Sequence, residues 1–480
     1  MPLSPLLLLL LAPAHPFAPG VRTRSPRRVR LSASVWPDDA SRRAALLSVA
    51  VSPLPLLLRP TASSADPSSP AETSSPAETS SAAPSSPADP PPSVAPSSSA
   101  AVPLHSSWLS VSGLNSNSTS PGNFVSFDPS AYRAMRDDQS RTPFFERAII
   151  ARLAEVPGGA AAATVLDIGT GPFALFAVAA ANCGAGRVFA VEADPGAAIA
   201  AREYVRKLGL SKVVTVLGGL STDLAELPGG AKADLCVAEV VGSIASEEGC
   251  VATAADARRF VKDPADPRSW MPCRAQTYAA PASYTLHSLF GPPEFDWKKL
   301  ADEPVRFNCR DDGLQLLADP VLVEDISFAA PPRGDVAKTE VSFTVDPERL
   351  QANELAFYRE YKNGRLSSGE SALRAAAAAR SVSGFALWPR LILREGYGGA
   401  DPIVVETREF PTGGHRRSHW QTVLPIGAER PIGGLRGGDR IEAAMEFRRP
   451  TGRVDNTASY TLDGKVYPSG TKAMSDEGKV

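Results

Sequence analysis

Two acidic residues, Asp167 and Glu192, each stand at the end of a short apolar run that is typical of a buried β-strand. Gly169 and Gly171 follow the first run, where glycines let the backbone turn tightly and approach a ligand closely. A carboxylate at the end of the second strand is suited to accept the two hydroxyls of a ribose. These residue types therefore predict a site for a nucleoside-containing cofactor.

The residues after this turn indicate which cofactor fits. A dinucleotide fingerprint needs a third glycine so that a pyrophosphate can lie at the start of the helix, but this chain has Phe173 in that stretch. The carboxylate of Asp167 would repel a pyrophosphate, whereas it suits the ammonium group of S-adenosylmethionine. The pattern favours S-adenosylmethionine, with a nicotinamide cofactor and an empty, degenerate site as the alternatives.

A further acidic pair lies after the fourth predicted strand, where ligand sites of open α/β sheets occur. Glu239 and Glu248 are nine residues apart, and Gly242 comes three residues after the first. This loop resembles the double-glutamate loop of the protein arginine methyltransferase family. The resemblance implies that the two carboxylates clamp the planar guanidinium of a protein's accessible arginine, which an ammonium ion cannot match.

Two other segments resemble the same family. One contains Met135, Asp138 and Arg141, and the other is the Ser-His-Trp sequence around His419. In that family the arginine binds the carboxylate of the methionine moiety, and the methionine packs near the sulfonium. The resemblance also implies that His419 pairs with Asp138, joining the N-terminal segment to the C-terminal domain.

The chain from 124 to 270 alternates between strand-like and helix-like segments. Two more predicted strands, Val213–Leu217 and Asp234–Ala238, continue the alternation, and a helix is predicted from an Asp194 cap to a stop at Gly209. This is typical of a parallel sheet with helices on both faces. The predicted fold class is therefore α/β plus β: a Rossmann-like S-adenosylmethionine-binding domain, then an antiparallel β-barrel-like domain.

Residues 271–475 are predicted to form this barrel-like, substrate-binding domain with a helical insertion. Asp463-Gly464 lies between two strand-like runs and predicts a hairpin. Helices are predicted from Asp346 to Tyr361 and from Ser367 to Arg380. By resemblance to the family, Leu286–Cys309 is the candidate dimerisation arm, which leaves a homodimer open. Short strand-like segments fill the remainder: Arg274–Pro281, Gln315–Val323, Val341–Val345, Phe385–Leu393, Trp420–Leu424 and Ile441–Phe447.

The first 65 residues resemble a targeting presequence. A leucine run is followed by an Arg- and Ser-rich, acid-free stretch and then by twin arginines before a second apolar run. This order is similar to the two-part presequence of a plastid protein; a misassigned start codon would instead leave the protein in the cytoplasm or nucleus. Residues 66–110 are rich in Pro, Ser and Ala, which predicts a disordered linker.

The overall composition excludes some partners. The net charge is −2, so no global basic field predicts nucleic acid or an anionic membrane as a partner. The 5 cysteines have no metal-binding spacing, and we expect neither a metal nor a membrane span in the mature form. The alternatives to protein arginine methylation are methylation of a small molecule or another nucleophile, and a catalytically silent binding protein with the same fold.

Overall fold

The computed structural model describes residues 101–110, 127–292, 295–297, 303–307, 312–364, 366–416, 418–449 and 458–469. The predicted presequence lies outside the described residues, so plastid targeting stays a prediction. Residues 66–100 of the predicted linker also lie outside the described residues.

The first described element corrects the linker prediction. Residues 102–109 form strand β1 (Val102–Leu109), although the predicted linker extends to residue 110. Leu104, Ser106 and Trp108 face inward and their neighbours face outward. This alternation is the signature of a half-buried strand, and the Pro-, Ser- and Ala-rich composition of the longer window concealed it. The folded part therefore begins well before Phe124.

The cofactor half has the predicted alternation of strands and helices. Asp194 caps the helix after the second strand by accepting from the Ala197 amide at 2.9 Å, and Gly209 follows its end with a positive φ, as predicted. The elements are α1 (Pro129–Arg136), α2 (Thr142–Glu155), β2 (Thr164–Ile168), α3 (Leu175–Asn182), β3 (Arg187–Glu192), α4 (Pro195–Lys207), β4 (Val214–Gly218), β5 (Leu235–Ala238), α5 (Cys250–Ala257) and β6 (Trp270–Met271).

Within the described residues, these strands form one parallel sheet in the order β4-β3-β2-β5-β6. Every neighbouring pair is parallel, so the carboxyl ends of β2, β3 and β5 lie at one edge. Strands β2, β3, β5 and β6 are almost entirely buried because α3 and α4 add alanine-rich faces to the same core, whereas the edge strand β4 is partly exposed. The predicted Rossmann-like domain is thus confirmed, and its sheet brings three acidic strand ends together.

The chain changes from parallel to antiparallel pairing between Met271 and Arg274. The predicted cap of the second inserted helix is present, with the Ser367 hydroxyl accepting from the Glu370 amide at 3.2 Å. The elements are β7 (Arg274–Tyr284), α6 (Thr285–Leu289), β8 (Val305–Phe307), β9 (Leu314–Leu316), β10 (Val321–Ser327), β11 (Val336–Thr344), α7 (Pro347–Asn363), α8 (Ser368–Ala379), β12 (Gly384–Arg394), β13 (Ile403–Glu406), β14 (Thr422–Leu424), β15 (Arg440–Arg448) and β16 (Ser459–Tyr467).

The described C-terminal strands form two antiparallel sheets that share one core. One has the order β1-β16-β15-β11, and the other has the order β10-β7-β12-β14-β8, with β13 beside β12 and β9 beside β7. Leu104 and Phe343 from the first sheet pack in the same cluster as Phe385 and Leu387 from the second. The predicted antiparallel, barrel-like domain with a helical insertion is therefore confirmed.

The hairpin predicted at Asp463-Gly464 is wrong. β16 runs through both residues without a turn and pairs with β15 on one side and β1 on the other. A side chain at Gly464 would lie 2.9 Å from the Phe385 ring and 3.1 Å from Leu104, so the glycine permits close packing. The Asp-Gly pair, which the sequence analysis interpreted as a turn, instead provides a glycine where the strand is closely packed.

The segment predicted as a dimerisation arm packs on its own barrel in the part that the structure describes. Trp297 is buried and lies edge-on to Tyr284, and Phe307 packs against the same tyrosine. β8 pairs with β14 of the barrel sheet. A homodimer stays a prediction.

Candidate active site

A cavity of about 1170 Å³ opens at the carboxyl edge of the parallel sheet. It exceeds the roughly 300–1,000 Å³ usual for a single ligand, so it has room for a cofactor and part of an acceptor. Eight of the ten predicted site residues line the cavity, and the other two, Asp138 and Asp167, contact residues of its wall from behind. Those that line it are Met135, Arg141, Gly169, Gly171, Glu192, Glu239, Glu248 and His419.

The glycine turn forms one end of this cavity. Gly169 and Gly171 have φ values of +74° and +66°, which side chains rarely adopt. Glu192 reaches across from β3 and accepts from the Gly171 amide at 2.7 Å and from the Asp194 amide at 2.8 Å. Burial raises the pKa of Glu192, and the two amide hydrogen bonds oppose that effect. The predicted ribose-binding carboxylate is therefore fixed beside the turn.

Asp167 is one of two predicted site residues that the structure places behind the cavity and not in its wall. Its carboxylate accepts from the Thr170 hydroxyl at 2.6 Å and from the Ala177 amide at 3.0 Å. It thereby joins the end of β2 to the turn and to α3, and burial raises its pKa to about 7. Both hydrogen bonds use Oδ2, while Oδ1 has no partner among the described residues, so the carboxylate supports the turn and its contact with a cofactor ammonium stays a prediction.

The missing third glycine has a visible consequence. Phe173 lines the cavity, with the Arg136 guanidinium 4.8 Å from the centre of its ring. Ala174 takes a left-handed conformation with φ +43° before α3 begins. The turn therefore keeps its path although a side chain replaces a hydrogen, and the cavity gains an aromatic wall.

The acidic loop after β5 brings both predicted glutamates to the cavity. Glu239 forms an ion pair with Arg141, and both side chains are almost fully buried. Burial raises the pKa of Glu248 to about 8, and the neighbouring carboxylates of Glu239 and Glu247 act in the same direction. This is the arrangement expected of a site that is completed by a cation from outside.

Arg141 and Met135 come from opposite ends of the turn between α1 and α2. The Arg141 guanidinium also donates to the Met135 carbonyl at 3.3 Å and lies 5.0 Å from the centre of the Phe176 ring. Its buried Nε has no partner among the described residues. A buried guanidinium with an unused donor next to the glycine turn is suited to a carboxylate ligand.

The predicted contact between Asp138 and His419 is present. The Nδ1 atom of His419 lies 2.7 Å from Oδ2 of Asp138, and the His419 amide donates to the same oxygen at 2.9 Å. Burial lowers the pKa of His419, so the ring is neutral at neutral pH, while its hydrogen bonds hold the pKa of Asp138 below its usual value against the effect of burial. Trp420 lines the same cavity, and its indole donates to the Val241 carbonyl at 2.8 Å.

Sequence reasoning missed three residues of this site. Glu247 is buried directly before Glu248, and Arg306 of β8 extends into the same cavity to pair with it. The only sequence signal for Glu247 was its adjacency to Glu248, and nothing in the sequence relates Arg306 to the loop. Tyr132 of α1 also lines the cavity, where its ring approaches the position of a side chain at Gly171 to 3.4 Å.

Gly242 sets the shape of the acidic loop and supplies a test. A methyl group there would lie 2.5 Å from Cβ of Glu247, which is too close for any real contact. We expect Gly242→Ala to lower the free energy of unfolding by about 1–3 kcal/mol, because the loop must shift. Urea unfolding of the full-length chain measures this. Gly369→Ala in α8, where an added methyl meets nothing within 4 Å, is the matched control, and equal stability of the two variants would contradict the packing argument.

Among the described residues, no group of His, Cys, Asp and Glu side chains has the geometry of a metal site. In the same part of the chain, no helix has both the length and the apolar character needed to cross a membrane.

Residues 153–248 match the family model described as ribosomal protein L11 methyltransferase (PrmA). A Streptomyces achromogenes subsp. streptozoticus protein named arginine N(omega)-methyltransferase is 41% identical over 110 residues, which are 23% of this chain and 29% of that protein. Protein arginine N-methyltransferase 7 of Gallus gallus is 28% identical over 199 residues, which are 41% of this chain and 27% of that protein. The matched part therefore spans less than a third of the length of either relative.

Two solved structures align with this chain at low sequence identity. One is the Trypanosoma brucei PRMT1 enzyme–prozyme heterotetrameric complex with AdoHcy, at a TM-score of 0.47 and 17% identity, covering 68% of this chain and 89% of that one. The other is Arabidopsis thaliana protein arginine methyltransferase 10, at a TM-score of 0.47 and 18% identity, covering 69% of this chain and 96% of that one.

The family match lies on the residues that form the glycine turn and the acidic loop, and both curated relatives are arginine methyltransferases by name. On these sequence similarities, residues 153–248 resemble a methyltransferase, and part of the chain is similar to arginine methyltransferases.

Proposed function

We propose that this protein transfers a methyl group from S-adenosylmethionine to the guanidinium of arginine residues in proteins. The observation that carries the proposal is that Glu239 and Glu248 line the same cavity as the glycine turn. One end of the cavity suits a nucleoside, and the other presents two carboxylates to a planar cation.

The residues present fit the methyl donor. Glu192 stands beside the turn to accept the ribose hydroxyls, and Gly169 and Gly171 allow the backbone to approach the ligand. Arg141, with its unpartnered Nε, would bind the carboxylate of the methionine moiety, and Met135 would pack near the sulfonium. When bound, S-adenosylmethionine supplies a methyl group activated by the positive sulfur.

The acidic loop would orient the acceptor. A guanidinium keeps its charge at neutral pH, so the protein has no need to deprotonate the free acceptor before binding. Glu239 and Glu248 would hold its planar nitrogens by charge-assisted hydrogen bonds and turn one terminal nitrogen toward the methyl group. Holding a cation between carboxylates also disperses the charge that accumulates on the acceptor during transfer.

His419 and Asp138 would act beside this clamp. Their contact ties the α1–α2 turn, which carries Arg141, to the loop that precedes β14. The neutral ring of His419 is able to accept the proton that the methylated guanidinium releases, with the Asp138 carboxylate stabilising the resulting cation.

Free arginine is the second candidate acceptor, because the name of the Streptomyces relative gives arginine without a protein. The cavity has the volume for either acceptor, and the same two carboxylates would bind either guanidinium. An experiment therefore has to distinguish free arginine from protein arginine as the acceptor.

The test incubates the full-length protein with S-adenosylmethionine labelled in the methyl group and with three acceptors. These are an Arg-Gly-rich peptide, the same peptide with lysine at each arginine, and free arginine. We expect label on the arginine peptide and none on the lysine peptide. Label on free arginine alone would replace the protein acceptor with a small molecule, and cofactor binding without transfer to any acceptor would refute the proposal.

A further inference from the structure

Glu247 is a third carboxylate in the acidic loop, and it is not exposed to the solvent. Its side chain is 1% exposed, although both it and the following Glu248 border the cavity. Its Oε2 atom accepts from the Ser243 amide at 2.9 Å and more weakly from the Ile244 amide at 3.4 Å. One carboxylate oxygen thus ties the end of the loop to its beginning.

The other oxygen of Glu247 ties the loop to two distant parts of the chain. Oε1 accepts from Arg306 of β8 and from the hydroxyl of Ser110, each at 2.5 Å. Ser110 directly follows β1, the strand inside the segment that the sequence suggested was linker. Three segments that are far apart in sequence therefore converge on one carboxylate.

The rest of the loop has separate anchors. The Ala245 amide donates to the Thr277 hydroxyl at 3.0 Å, and the Ser246 amide lies 3.3 Å from a carboxylate oxygen of Glu324. These contacts hold the middle of the loop and do not involve Glu247. Loss of the contacts at Glu247 should therefore displace the end of the loop without unfolding it.

The charges around Glu247 also bear on its neighbour. A buried carboxylate is costly unless a cation and hydrogen bonds compensate it, and Arg306 supplies that cation. Glu247 and Glu239 both disfavour the charged form of Glu248, whereas Arg141 and Arg306 favour it. The pair thus fixes both the position and the electrostatic surroundings of the glutamate that follows.

We propose that Glu247 is a positioning residue, which Arg306 and Ser110 hold so that Glu248 meets the acceptor guanidinium in the productive orientation. The inference rests on the proposed function and deepens it. It gives β1 and β8 a direct part in the acceptor site, although neither carries a clamping carboxylate. Both carboxylate oxygens of Glu247 already accept hydrogen bonds from the protein, so its role in this proposal is exerted through Glu248.

The kinetic test compares Arg306→Gln and Glu247→Gln in the full-length chain. We expect each to lower kcat/KM for the arginine peptide by about 10- to 100-fold, because small misplacements in a clamp have effects of that size. The Kd for S-adenosylmethionine should stay within about twofold of the unaltered protein, because neither residue touches the glycine turn. Arg306→Lys should restore part of the loss, since it keeps the charge and loses the forked geometry.

The matched control is Arg274→Gln. Arg274 also pairs with a carboxylate across barrel strands, at 2.5 Å from Asp325, but neither residue lines the cavity. Its ion pair is partly exposed, so its loss should change little. If Arg274→Gln lowers kcat/KM as much as Arg306→Gln, the effect is general to the barrel and the proposal is wrong.

The pH profile separates positioning from general damage to the structure. The charged and titratable groups that face Glu248 are Glu239, Glu247, Arg141, Arg306 and Tyr132. Arg306→Gln removes a cation, so the acid limb of kcat/KM should move to higher pH. Glu247→Gln removes a negative charge, so the limb should move to lower pH. Shifts in the same direction would contradict the assignment.

Hydrogen exchange tests the inference without relying on methyl transfer. We expect the amides of Ser243 and Ile244 to exchange about tenfold faster in Glu247→Gln and Arg306→Gln than in Arg274→Gln, because their acceptor is lost or displaced. Unchanged exchange would overturn the proposal even if activity fell. If the unaltered protein methylates no arginine, the proposed function fails, while exchange still decides whether Glu247 holds the loop.

Discussion

Glu248→Gln will lower kcat/KM for an arginine acceptor by about 100- to 1,000-fold and leave the Kd for S-adenosylmethionine nearly unchanged. The amide has the same shape, but it carries no charge and replaces one acceptor oxygen with a donor that faces the guanidinium donors. Glu248 lines the cavity, and it does not contact the glycine turn. Steady-state kinetics and a separate binding measurement distinguish the two effects.

Glu239→Gln will lower kcat/KM for the arginine acceptor by a similar factor, but it will also affect cofactor binding. Glu239 is the partner of Arg141, so its substitution frees the guanidinium that would bind the cofactor carboxylate. We therefore expect a change in cofactor affinity in Glu239→Gln and none in Glu248→Gln. The double variant should be little worse than either single one, because two residues that form one clamp act as a unit.

The control for both is Glu340→Gln, which alters an exposed glutamate in β11 of the barrel. It should retain full activity, since isolated surface substitutions have little effect. Retention of more than about half of kcat/KM in Glu248→Gln would mean that a single carboxylate holds the acceptor. This result would contradict the clamp formed by Glu239 and Glu248.

The cofactor half of the fold could be predicted because its signals are local. Apolar runs, the glycines after β2 and the Asp194 cap each act over a few residues, and the parallel order of such strands follows from general topology. The acidic residues were found for the same reason. In a parallel sheet, strand ends that are distant in sequence must lie at one edge, so their positions along the chain already indicate their proximity.

The predictions that failed depended on contacts from other segments. Asp463-Gly464 has the composition of a turn, but β1 and β15 flank it on both sides and keep the strand straight. β1 itself has an alternation of only a few residues inside a window rich in Pro, Ser and Ala. Tertiary pairing decided both cases, and no local propensity reveals it.

The roles of the buried carboxylates could not be predicted either. Asp167 and Glu192 stand at equivalent strand ends, yet only Glu192 lines the cavity, and Oδ2 of Asp167 is bound by Thr170 and Ala177 behind it. Glu247 and Glu248 are neighbours in the chain and both border the cavity, yet Glu247 pairs with Arg306. A side chain's direction within a loop depends on partners that only the folded structure supplies.

The rate of transfer will depend strongly on pH. Burial and two neighbouring carboxylates raise the pKa of Glu248 to about 8, so below that pH most free protein carries a neutral carboxyl group that cannot clamp a cation. We expect kcat/KM for the arginine acceptor to rise about tenfold per pH unit below 8 and to level off above it. A bound guanidinium stabilises the charged form of Glu248 and lowers its pKa in the complex. The acid limb of kcat should therefore lie at lower pH than the acid limb of kcat/KM.

The other titratable groups near the site should give different pH profiles. The assignment of the acid limb to Glu248 is therefore testable. Burial lowers the pKa of His419 and the pKa of Asp138 is held low, so neither should titrate near pH 8. Asp167, with a pKa of about 7, supports the cofactor turn, so its effect should appear in the kinetics of S-adenosylmethionine and disappear in Asp167→Asn. The acid limb for the acceptor should survive Asp167→Asn and vanish from the residual activity of Glu248→Gln. If the limb persists in Glu248→Gln, a different group controls acceptor binding, because an amide cannot titrate in this range.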